Sequence, residues 1–125
     1  MATTGRATQA SEPDDDVIAV AAFRKAVNRT AAALLRWLET AQSKRVGSKN
    51  DGVGESVGHH SGRRIVGLLR TPKADLSAAD IAHMRKVVGF VHRHLAQRPK
   101  GDVSETPWRF SLMNWGHDPA AAFDG

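Results

Sequence analysis

Apolar residues recur at three- and four-residue spacings along most of this chain, and no stretch keeps the two-residue alternation of a strand. The pattern predicts helices with polar joints. Pro13 followed by Asp14, Asp15 and Asp16 opens the first, because acids in a first turn complement the helix dipole. It runs to about Val27, with Val17, Val20, Ala21 and Val27 near one face. Thr30 is placed to cap a second helix, in which Leu34, Leu35, Trp37 and Leu38 supply the apolar surface and which stops around Ser43 to Gly47. A third is expected from near Ser61, with Ile65, Leu68 and Leu69 inward, ending at Thr71-Pro72 because proline cannot donate to the helix ladder. Ser77 and Asp80 have the spacing of a capping box for a fourth helix. That helix runs to roughly Gln97 and carries the stripe Ile81, Met84, Val88, Val91 and Leu95. Thr106 before Pro107 starts a short fifth helix with Trp108, Leu112 and Trp115, and Gly116 suits a left-handed cap after it.

The joints divide the chain. Residues 1–13 are small, polar and aperiodic, the composition of a disordered tail. Residues 47–62 contain five glycines and little to bury, which predicts a long loop, the kind that is mobile or functional. The expected architecture is therefore all-α: a single bundle of about five helices over residues 14–119, with a glycine-rich loop inside it and a tail at 120–125. A chain of 125 residues gives one domain with a modest core.

Composition narrows the chemistry. The absence of cysteine excludes disulfides, thiolate zinc sites and thiol nucleophiles, and suits the cytoplasm. No apolar run approaches membrane-spanning length, and the first thirty residues lack a secretory apolar segment, so neither spanning nor export is expected. The net charge of +5 is unevenly spread: residues 23–100 carry sixteen Lys or Arg against five Asp or Glu, while both flanking segments are net acidic. A basic middle favours a polyanion such as nucleic acid, or an acidic protein surface, as partner.

The cations fall in two groups. Arg85, Lys86, His92 and Arg93 lie opposite the apolar stripe of the fourth helix, with Lys100 just beyond it. Gly89 and Ala96 lie among them, small enough to let a sugar-phosphate backbone approach. Arg63, Arg64 and Arg70 form a second row after the glycine segment. The stretch GESVGHHSGRR lacks the GK[ST] ending of a phosphate-binding loop, and no strand precedes it as a dinucleotide fingerprint requires. Six histidines raise the question of metal, but there is no HExxH, and only His83 and His94 share a helix face. No serine–histidine or paired-carboxylate arrangement stands out, so neither a catalytic set nor a cofactor is expected. Trp108 and Trp115 read as buried anchors, with Asn114, His117 and Asp118 hydrogen-bonding around them.

Four segments, WLETAQSKRVG, GESVGHHSGRRIVGLLR, HMRKVVGFVHRHLAQRPKGD and TPWRFSLMNWGHDP, carry a resemblance that extends from about Phe23 to Pro119. On them the chain resembles the mostly bacterial family catalogued as domain of unknown function 3140. In that family an acidic residue is usual where His60 stands here and a tyrosine where Phe110 stands. The resemblance implies no catalytic residues; members often bear the label "DNA-binding protein". The sequence thus leads to the expectation of a non-enzymatic DNA-binding protein that works through phosphate contacts with weak sequence preference. The alternative is a protein-interaction module that docks a partner through the glycine segment and the Trp-rich terminus.

Overall fold

The computed structural model describes residues 15–47 and 54–122, and every regular element among them is helical. In chain order these are α1 (15–26), α2 (Ala31–Leu38), α3 (Ala41–Arg45), α4 (Val57–Leu69), a single 3-10 turn (Lys73–Asp75), α5 (Ala78–Leu95), α6 (Pro107–Asn114) and α7 (Pro119–Ala122). The tail expected at 1–13 lies outside the described residues, as do 48–53 of the glycine segment.

Side-chain caps set most of the boundaries. Thr30, Ser77 and Thr106 accept from the amides of Ala33, Asp80 and Arg109, and Ser77 with Asp80 completes a reciprocal capping box. The predicted second helix is in fact two. Thr40 turns its hydroxyl back to the Trp37 carbonyl while accepting from the Ser43 amide, so it ends α2 and caps α3 together. The larger difference concerns the glycine segment. Ser56 caps α4 four residues earlier than expected, so Gly58 and Gly62 are helical rather than loop residues. Both are there for contact: a Cβ on Gly62 would lie 2.5 Å from the Asn114 carbonyl oxygen, and one on Gly58 would lie 2.9 Å from Trp115 Nε1. Pro119–Ala122 forms a helical turn, and 123–125 of the expected tail lie outside the described residues.

Helix α6 is the hub, packing against α2, α3, α4 and α5. Phe23, Leu34, Ile65, Met84 and Leu112 are fully buried around it. On α1 the inward face is Ala19, Val20, Phe23, Ala26 and Val27; Val17 is exposed, as are Ala21 and, on α2, Leu35. On α5 the innermost stripe is Met84, Val87 and Val91, with Ile81, Val88 and Leu95 half-buried beside it. The spacing had located the apolar side of α5 to within one residue's rotation of the helix.

The segment after α6 fastens the bundle. Buried Asn114 accepts from Trp37 Nε1 (2.8 Å) and from the Ser43 hydroxyl, and its amide donates to the Ser43 carbonyl (3.0 Å), joining α2, α3 and α6. Gly116 adopts φ +84°, and its carbonyl receives the amides of Asn28 and Arg29. His117 Nδ1 donates to the Ala26 carbonyl at 2.7 Å. Asp118 holds Arg109 through two contacts of 3.2 Å, and its amide donates to Asn28 Oδ1. Burial works to raise the Asp118 carboxyl, but Arg109, the Ala120 amide and Arg29 outweigh it and hold the group below the usual carboxylate range.

Candidate functional site

Successive residues of α5 are about 100° apart around its axis, so Arg85 and His92 share one line and Lys86 and Arg93 the next. Seven residues, about 10.5 Å of rise, separate the members of each line. All four side chains are exposed, as is Lys100 beyond the helix end. Lys86, His92, Arg93 and Lys100 make no ion pair among the described residues, whereas Arg85 reaches Asp16 of α1 at 3.0 Å across an exposed surface. Such exposed pairs contribute only about 0–1 kcal/mol and yield readily to a competing anion.

Gly89 does not leave an open notch in this face. The Arg93 guanidinium folds back over it, and an added Cβ would lie 2.9 Å from an Arg93 terminal nitrogen.

The second row is less free. Arg63 forks onto Glu55, with contacts of 2.8 and 2.6 Å. That hydrogen bond, opposed by partial burial and reinforced by His59, holds the Glu55 carboxyl down to about 2. His59 stands between Glu55 and the Leu38 carbonyl, so both ring nitrogens face acceptors. Arg64 donates to the Ala79 carbonyl (3.2 Å) and lies 3.6 Å from Asp80. Arg70, the C-terminal cap of α4, is exposed and unpaired among the described residues. The structure therefore does not present Arg63, Arg64 and Arg70 as one row: Arg63 is engaged with Glu55 just before α4 and Arg64 with Asp80 in the first turn of α5.

Between α5 and α6 runs a seam the sequence did not reveal. His83, Trp115, Phe90, His94 and Trp108 stack in one ladder with interplanar angles of 13–16°. The Arg98 guanidinium closes its end 5.5 Å from the Trp108 ring centre. His94 and Trp108 also exchange hydrogen bonds with each other's carbonyls at 3.1 and 2.7 Å. Burial, then the charges of Arg64, Lys86 and His60, pushes the His83 imidazole down to about 4. Only the seven- and four-residue spacings that put His83, Phe90 and His94 on one side of α5 hinted at this ladder; its partner rings come from α6 and its C-terminal cap.

His83 Nε2 meets the Ser61 hydroxyl at 2.9 Å, a pairing that adjacency of Ser61 to His60 had not predicted. Ser61 is buried inside α4, and no carboxylate among the described residues orients the other ring nitrogen, so the pair lacks the access and the third member of a nucleophile–base couple. Among the described residues, no group of three or more His, Asp or Glu gathers as a metal site, and no helix is long and apolar enough to cross a membrane.

The family described as protein of unknown function (DUF3140) matches residues 22–113. The chain belongs to that family. No curated protein and no solved structure matches it. The DUF3140 match takes in both cation groups and the capped starts of α2 through α6, and stops just before Asn114, where the fastening segment begins.

Proposed function

We propose that this DUF3140 chain is a small non-enzymatic nucleic-acid-binding protein of the cytoplasm that holds DNA mainly through its phosphates. The observation that supports this reading is the α5 face. Lys86, His92 and Arg93 stand exposed on one arc without an acidic partner among the described residues, and Arg85 beside them is held only by an exposed aspartate. Two levels of side chains about 10.5 Å apart along the helix suit contacts to more than one phosphate of a strand. Nothing on the face resembles a set of base-reading amides, so weak sequence preference and strong salt dependence are expected. Arg63 contributes less in this reading, because its fork is already filled by Glu55.

The test is fluorescence anisotropy of a labelled duplex across a salt series. With three to four phosphates neutralised, log K should fall with a slope of about −3 to −4 against log salt. Lys86→Gln with Arg93→Gln should flatten that slope by about 2, and Arg63→Gln should change it little. Absence of binding at low salt, or equal loss from both sets of variants, would overturn the assignment to this face.

The protein-partner alternative loses its aromatic anchor, since Trp108 and Trp115 are buried. The apolar surface that α1 exposes at Val17 and Ile18 lies outside the segments on which that alternative rests.

A further inference from the structure

A cavity of about 370 Å³ opens in the seam where α4, α5 and α6 meet, within the size range of small-molecule sites. It is lined by half-buried Phe90 and buried Trp115, by Val57 and Gly58, and by the exposed Lys86 and Arg93. Phe90 and His83 both stack on Trp115, with ring centres 4.3 and 6.3 Å from it.

A second observation concerns the indole nitrogens. Trp37 Nε1 donates to Asn114, and Trp108 Nε1 donates to the His94 carbonyl. Trp115 is 5% exposed, yet its Nε1 meets no acceptor among the described residues. That nitrogen stands against Gly58, where an added Cβ would lie 2.9 Å from it. The nitrogen is open to solvent there, since the buried side-chain polar atom left without a partner among the described residues is Arg29 Nε, and so it can donate into the cavity. The first amides of α4, at Val57 and Gly58, are likewise without acceptors among the described residues and border the same space.

The requirements on an occupant follow from these groups. Two cations at the mouth call for an anion, and the depth of the cavity exceeds what one oxyanion fills. A hydrocarbon body would leave the Trp115 donor unpaired, whereas a heterocycle with ring acceptors would satisfy it.

We propose that this seam is a nucleoside monophosphate site, with the phosphate at Lys86 and Arg93 and the base inside against Trp115 Nε1. The nucleotide is either free or the unpaired terminal unit of a strand. The proposal shares Lys86 and Arg93 with the phosphate row and to that extent rests on the reading above, but the cavity itself is independent of duplex binding.

The test follows the three tryptophan indole N–H signals by NMR while dAMP, or a 5′-phosphorylated single-stranded oligonucleotide, is titrated into the full chain. The Trp115 signal should move in a saturable way while those of Trp37 and Trp108 stay nearly fixed. Arg93→Gln should weaken the affinity about ten-fold, the scale of one charge-assisted hydrogen bond. Val57→Phe, which fills the cavity and leaves both cations in place, should abolish the shift while preserving duplex binding. Response to dAMP identifies a free nucleotide as sufficient; response to the oligonucleotide alone identifies a strand end. An unmoved Trp115 signal with both probes, or shifts that persist in Val57→Phe, would overturn the proposal whatever the duplex assay gives. A nucleotide response without duplex binding would instead sink the phosphate row and leave the cavity site standing.

Discussion

Two glycines of α4 provide a matched pair for testing how this helix packs. Replacing a mid-helix glycine with alanine normally stabilises by about 0.5–1 kcal/mol, through propensity and a less free unfolded chain. At Gly67 nothing lies within 4 Å of the added Cβ, so Gly67→Ala should show that gain in full. At Gly62 the same atom would fall 2.5 Å from the Asn114 carbonyl oxygen and 2.7 Å from Leu38 Cδ2. Neither neighbour is free to move. Leu38 is buried, and Asn114 is tied through its side chain to Trp37 and Ser43. Overpacking of this kind costs about 1–3 kcal/mol, so Gly62→Ala should lose a net 1–2 kcal/mol after the helical gain. The two variants should therefore differ by roughly 2–3 kcal/mol, or about 10–20 °C in Tm for a domain of this size. Urea unfolding followed by circular dichroism at 222 nm, with unchanged m-values, measures the difference directly. Equal shifts in the two variants would mean that α4 does not lie against α6 as described.

Asn114→Ala should destabilise by about 3–4 kcal/mol, because the Trp37 indole, the Ser43 hydroxyl and the Ser43 carbonyl each lose a buried partner; a loss under about 1 kcal/mol in urea unfolding would remove Asn114 from the centre of the fold. His83, held down to about 4 from the 6.5 of a free imidazole, binds its proton more weakly folded than unfolded. Its contribution is complete above pH 6.5, declines as pH falls from there to about 4, and is constant below. The measurement is an NMR titration of the His83 ring, with Lys86→Gln raising its midpoint; a midpoint near 6.5 would contradict its burial against Trp115.

What the sequence determined by itself was local. Caps at Thr30, Ser77 and Thr106 and the left-handed Gly116 need only neighbouring residues to act, so their types and spacing located helix ends without reference to the fold. Charge placement was equally legible, because Arg85, Lys86, His92 and Arg93 follow from helical periodicity once α5 is recognised. Tertiary structure decided what depends on partners distant in sequence. Glycine in a chain signals either a loop or a close approach, and only the arrival of α6 at Gly58 and Gly62 makes α4 a packed helix there. The aromatic ladder and its cavity join α4, α5 and α6, so no local spacing could announce them. The second row of arginines divided for the same reason: Glu55 and Asp80 reach Arg63 and Arg64 only after the chain has folded. Periodicity fixes which side of a helix is apolar, but packing chooses which charges stay free.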